Sequence, residues 1–219
     1  MSDEAEHSQP RAVSPQRLNA LADGVFAIAM TLLVLELGVP VVTEESAELG
    51  ELLLEMWPEL LMYGLGFLVL GVYWLIHHMI FDAIERYDTT LAWLNIVYLM
   101  FSALIPFATA LVVEHGPTTA TAIAYGLNML ALFFIGWAMW TYATTGNRVT
   151  GDRLDPDLAR GVRAMGLVYF VALLVPLALA LVVPVVSMVV YAAIVVAFIG
   201  FTVTGRWEAV TVWRRGSAG

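Results

Sequence analysis

The chain has 219 residues, 60% of them hydrophobic and only 13% charged, with a mean hydropathy of +0.81. Soluble domains run at about half apolar and a quarter charged, so the composition is that of an integral membrane protein. The net charge of −9 speaks against nucleic acid as a partner, and the absence of cysteine excludes disulfides, thiolate metal sites and cysteine nucleophiles.

The chain opens on MSDEAEHSQP, polar and mildly acidic, which reads as part of a disordered tail over residues 1–16. It lacks the basic start of a secretory signal, so no cleavage is expected. Six stretches then reach the length of about 20 apolar residues that a spanning helix needs. They lie near 18–38, 57–80, 90–113, 118–142, 162–183 and 185–205. Only helices satisfy the backbone of such segments in lipid. The expected fold is therefore an all-α six-helix transmembrane bundle over residues 17–215, with 216–219 as a second tail.

Between the first two spans, TEESAELGELLLEM (43–56) has the pattern of a short amphipathic surface helix. Pro58 falls in the first turn of the second span, where a missing N–H costs little. Pro106 and Pro176 predict kinks in the third and fifth spans. TGNRVTGDRLDPD (145–157) reads as a turn-rich loop and a hinge between the first four spans and the last two.

All ten basic residues are arginine. Arg11 and Arg17 precede the first span and Arg86 follows the second. Arg148, Arg153, Arg160 and Arg163 fall between the fourth and fifth, and Arg206, Arg214 and Arg215 follow the sixth. The alternate loops carry Glu44, Glu45, Glu48, Glu51, Glu55 and Glu114 instead. The positive-inside rule then puts both termini of this multi-pass protein in the cytoplasm.

Ionisable residues inside spans are functional candidates by default, and here they are Asp23, Glu36, His77 and His78, with Asn95 and Asn128 as uncharged polar cases. Projected at about 100° per residue, Ile28, Leu32 and Leu35 fall within about 60° of one another, with Leu21, Gly24 and Thr31 extending the stripe. Asp23 points about 140° away from Ile28 in the same projection. The helix directions bring His77 or His78 and Asn95 to a depth similar to that of Asp23, so these residues are expected to form one polar cluster. Its simplest role is to staple three helices by hydrogen bonds. Adjacent histidines diverge on a helix, and no HExxH or carboxylate ladder accompanies them, so no metal site is expected. Nor is there a G-x-S-x-G, a Gly-rich phosphate loop or a pair of catalytic carboxylates; the chain does not read as an enzyme.

The stretch RLNALADGVFAIAMTLLVLEL (17–37) resembles the first-helix signature of the bacterial relatives of transmembrane protein 175, the endosomal/lysosomal potassium channel family. That signature is an Arg, three residues, Phe-Ser-Asp and an apolar run. YWLIHH, NIVYLMFSALIPFATAL and AYGLNML resemble later pieces of the same family. The resemblance implies a homotetrameric cation channel without bound cofactor, permeable to potassium and with other monovalent cations possible. In it the first helix of each subunit lines the pore, and bulky aliphatic side chains form the constriction and hydrophobic gate. On this chain those are Ile28, Leu32 and Leu35, with Thr31 at the edge. The signature positions are Arg17 and Asp23, and His77 and Asn95 resemble the partners that hold them. Leu21-Ala22 replaces the family's Phe-Ser, which removes a hydroxyl from the network around Asp23.

The resulting expectation is a leak-like channel, weakly to moderately selective for potassium, with Glu36 and the acidic loops concentrating cations at the outer mouth. The alternative is a proton-coupled secondary transporter in which Asp23 and His77 titrate; a non-conducting scaffold is a third reading. The expected partners are the lipid bilayer and further copies of the chain.

Overall fold

In the computed structural model the described residues are 15–41, 48–86, 88–147, 149–150 and 154–203. Residues 1–14 of the expected 1–16 tail, the 216–219 tail, and Arg11, Arg148, Arg153, Arg206, Arg214, Arg215, Glu44 and Glu45 lie outside them, whereas residues 15 and 16 of that tail already belong to the first helix. Among the described residues eight α-helices follow one another: α1 (Pro15–Leu32), α2 (Leu49–Glu55), α3 (Trp57–Asp82), α4 (Thr89–Ala103), α5 (Ile105–His115), α6 (Thr119–Thr144), α7 (Pro156–Leu179) and α8 (Pro184–Val203). A 3-10 turn, Leu33–Glu36, extends α1. Six segments of these are long and apolar enough to cross a membrane, matching the six expected.

Local chemistry sets the ends. Asp88 caps α4 by accepting from Leu91 N at 2.9 Å, and Thr118 and Thr121 form a reciprocal capping box at the start of α6. Between α5 and α6 the chain reverses at Gly116, whose φ of +70° favours a residue without Cβ. Pro106 does more than kink the third span. The helix stops at Ala103 and restarts at Ile105, with Pro106 in the first turn of the new segment, where it removes no intrahelical bond. Pro176, by contrast, sits inside α7, which runs on to Leu179. Its carbonyl accepts from Ser187 Oγ at 2.7 Å, tying α7 to α8.

Two boundaries differ from expectation. α7 begins at Pro156, several residues before the apolar stretch, so Arg160 and Arg163 sit on helix and not in the loop. Asp155 caps this extension by accepting from Asp157 N at 2.8 Å. The loop before it is also less of a free hinge than its composition suggests. Val149 is buried, and its carbonyl accepts from Glu85 N at 2.9 Å and Arg86 N at 3.3 Å, fastening the loop beneath the α3–α4 connection.

In packing, α1 lies against α3 and α4, α6 lies against α4, α5 and α7, and α8 lies against α7 and α3. The third and fourth spans are each 44% buried, whereas the fifth and sixth are 11% and 17% buried. The core therefore sits between the third and fourth spans, with α7 and α8 at the periphery.

Candidate functional site

α1 has two faces of opposite character. Leu18, Ala22, Phe26, Ala29 and Leu33 are buried, spaced by three and four residues so that they form one stripe against α3 and α4. Turned away from that stripe, Ile28 is 61% exposed, Leu32 42% and Leu35 73%. Leu21, Thr31 and Glu36 are exposed beside them, and Thr31 Oγ1 donates to Ile28 O at 2.8 Å. The residues grouped by helical projection thus share a face that no other described residues cover.

The polar residues expected in one cluster divide into two. Asp23 is exposed at the α1–α3 junction, where Trp74 Nε1 donates to its Oδ1 at 2.9 Å. His78 Nε2 lies 3.5 Å from the same oxygen. His78 packs on Trp74, with ring centroids 4.3 Å apart. His77 points elsewhere: it is fully buried, and its Nε2 lies 2.8 Å from Asn95 Oδ1. Because a carboxamide oxygen only accepts, Nε2 carries the proton and donates. The imidazole stacks on Phe81 at 4.4 Å and lies against Tyr98 and Phe26. His77 and Asn95 therefore join α3 to α4 in the interior, while Asp23 is held by Trp74 and His78. The Asp23–His77 pairing that a titrating transporter would use is not formed. Arg17 is exposed, six residues before Asp23, and bridges to none of these groups.

Trp74, absent from the polar cluster expected from the sequence, is the closest partner of Asp23. Its signal was the i, i+4 spacing to His78, which puts both on the same face of α3. Ala22 is fully buried, so the position of the family's Ser faces the packed interior. Beside Asp23 a groove of about 560 Å³ runs between α1 and α3, lined by Ala27, Met30, Phe67, Leu68 and Trp74 among others. Among the described residues no three His, Asp or Glu side chains converge on one point.

The arrangement of helices and the first-helix residues have clear counterparts. The sequence model of the family described as endosomal/lysosomal potassium channel TMEM175 matches residues 17–106. A potassium channel of Streptomyces collinus is 35% identical over 151 residues, 67% of this chain and 73% of its own length. A potassium channel of Chamaesiphon minutus is 35% identical over 150 residues, 67% of this chain and 74% of its own length. The crystal structure of a lysosomal potassium-selective channel TMEM175 homolog from Chamaesiphon minutus superimposes with a TM-score of 0.74 at 29% identity. That superposition covers 84% of this chain and 95% of the other. These relatives are channels by name, not enzymes, and together they assign the fold and its ancestry. The chain belongs to the endosomal/lysosomal potassium channel TMEM175 family.

Proposed function

We propose that this protein is a potassium-permeable cation channel in which four copies of α1 surround a central pore. The observation that carries the reading is the exposed aliphatic stripe of Ile28, Leu32 and Leu35 on a helix whose opposite face is fully packed. Among the described residues of one subunit that stripe has no protein neighbour, and the apolar groove between α1 and α3 offers a seat beside it for an adjoining copy. The potassium channels of Streptomyces collinus and Chamaesiphon minutus supply the function class.

In this reading rings of Ile28, Leu32 and Leu35 form the constriction, which empties of water when narrow and conducts when wide. Aliphatic rings offer no ligands to replace a hydration shell, so selectivity for potassium over sodium is weak to moderate. Thr31 supplies the hydroxyl at the edge of the stripe; its proton is committed to Ile28 O, which leaves oxygen lone pairs free to face a cation. Glu36 closes the helical segment and adds negative potential at the outer mouth. The protein spans a bacterial-type plasma membrane with both termini in the cytoplasm, works as a homotetramer, and uses no cofactor; potassium is its permeant substrate. Asp23, Trp74 and His78 brace α1 on α3, and His77 with Asn95 braces α3 on α4. Arg17 stands at the cytoplasmic entrance to α1.

The test is flux from liposomes, and single-channel recording, with purified protein carrying Ile28→Asn or Leu32→Asn. Wetting the constriction should raise potassium conductance by about tenfold or more, since an amide removes a dewetting barrier of at least ~1.4 kcal/mol. Unchanged conductance and selectivity in both variants would remove α1 from the constriction. Crosslinking in lipid that never exceeds a dimer would rule out the four-fold arrangement.

A further inference from the structure

Away from α1, two cavities lie between α3, α6, α7 and α8. One has a volume of about 120 Å³ and the other about 70 Å³. They share Tyr73, Ile76, Phe133, Tyr169 and Phe198 as walls, so they are two chambers of one slot. Its ends are marked on α6 by Tyr125 and Trp140, which at 1.5 Å per residue lie roughly 22 Å apart. The walls are aromatic and aliphatic, and among the described residues no charged side chain lines either chamber. The larger chamber reaches the surface at Met165, which is 48% exposed on α7.

Four polar groups of the walls are committed to backbone carbonyls. Tyr73 donates to Met129 O at 3.1 Å, Tyr98 to Tyr73 O at 2.8 Å, Trp137 to Arg163 O at 3.1 Å and Trp140 to Ala159 O at 3.4 Å. In the inner chamber Tyr125 and Tyr191 face each other edge-on, with ring centroids 5.8 Å apart. Both residues are buried, and among the described residues neither hydroxyl has a hydrogen-bond partner. A buried hydroxyl without a partner is costly, and two of them in one chamber form an incomplete hydrogen-bonding site.

We infer that this slot binds a small uncharged amphiphile of the phenol or alcohol class, its hydroxyl meeting Tyr125 and Tyr191 and its apolar body lying in the aromatic slot. Apolar cavities of about 150 Å³ take up benzene, which sets the scale of the body. Among the described wall residues none is charged, so the slot favours an uncharged ligand over an anion or cation, which would be desolvated there without a partner. Met165 places the mouth against the bilayer, where such molecules concentrate.

The experiment photolabels the full-length protein in lipid nanodiscs with a phenol carrying a diazirine, and with the matching toluene that lacks the hydroxyl. Saturable labelling of α6, α7 and α8 is expected. Excess unlabelled phenol should protect about fivefold better than toluene, the value of one net hydrogen bond, and benzoate should protect poorly. Tyr125→Phe together with Tyr191→Phe keeps both rings and should abolish the phenol preference. Leu173→Trp, which fills the inner chamber, should abolish saturable labelling while the protein elutes as before. Three results would each overturn the inference: labelling that rises linearly with probe and spreads to lipid-facing residues such as Val168, a phenol preference that survives both Tyr→Phe changes, or protection by benzoate equal to that by phenol.

Discussion

Replacing Asn95 by Leu tests what the buried His77–Asn95 pair contributes. The two side chains are fully buried and meet at 2.8 Å. His77 Nδ1 has no partner already, so among the described residues Asn95 Oδ1 is the only hydrogen-bond partner of the imidazole. Asn95→Leu leaves the Nε2–H unpaired in a hydrocarbon-like interior, at about 1–3 kcal/mol. Hydrogen bonds between membrane helices average nearer ~0.6 and reach ~1.7 kcal/mol, so a loss of about 1–2 kcal/mol is expected. His77→Phe keeps the stacking on Phe81 but strands the carboxamide oxygen, for a comparable loss. In the double variant no polar group is stranded, and its loss should be smaller than the sum of the singles by about 1 kcal/mol or more. The assay is reversible unfolding in bicelles, with potassium flux measured on the same samples. If the two losses simply add, the pair is not a mutual satisfaction. If flux is abolished in a double variant of full stability, His77 and Asn95 act on permeation and not as a brace.

Three further outcomes follow from the same geometry. Thr31→Val removes the only hydroxyl of the exposed stripe; in bi-ionic recordings it should lower the potassium-to-sodium permeability ratio about twofold to fivefold, on the scale of one weak polar contact. Gly126→Ala would set a Cβ 2.1 Å from the Tyr191 hydroxyl; overpacking of this kind costs about 1–3 kcal/mol, and Tyr191→Phe should restore part of it in thermal melts. Asp88 accepts hydrogen bonds from Tyr142 and from Leu91 N. These bonds, the Tyr142 hydroxyl first, hold its carboxyl below the ordinary aspartate range against a small opposing effect of burial. The associated stability is present above the ordinary aspartate value of about 4 and is lost as pH falls through the depressed value. Asp88→Asn should flatten that acid limb of a melting-temperature profile, an effect kept small by exposure to solvent.

Much of this was legible in the residues. Six apolar runs announce themselves because lipid imposes a length, and the two faces of α1 follow from 3.6-residue periodicity alone. The start of α7 was not legible in hydropathy, because Asp155, Pro156, Asp157, Arg160 and Arg163 make its first turns polar; the capping pattern Asp155-Pro156 carried the information instead. Depth alone could bring His77, His78 and Asn95 to Asp23. Choosing between the histidines needed the rotation of α3, and one residue along a helix turns a side chain by about 100°. The pairing of Tyr125 with Tyr191 was beyond the sequence, since the two come from helices that meet only in the assembled bundle.

The uneven burial of the six spans bears on biosynthesis. α1 packs chiefly on α3, α4 and α5, and every one of these precedes residue 144. The α7–α8 hairpin contributes no major contact to α1 and buries little of its own surface. As the chain leaves the ribosome, the first four spans therefore contain everything needed to seat α1 before the last two are made. The late hairpin docks onto a finished platform along α6, at Gly126 and beside Trp137. Lesions in α7 or α8 should accordingly surface as incompletely wrapped subunits prone to quality-control degradation, with the first helix already in place.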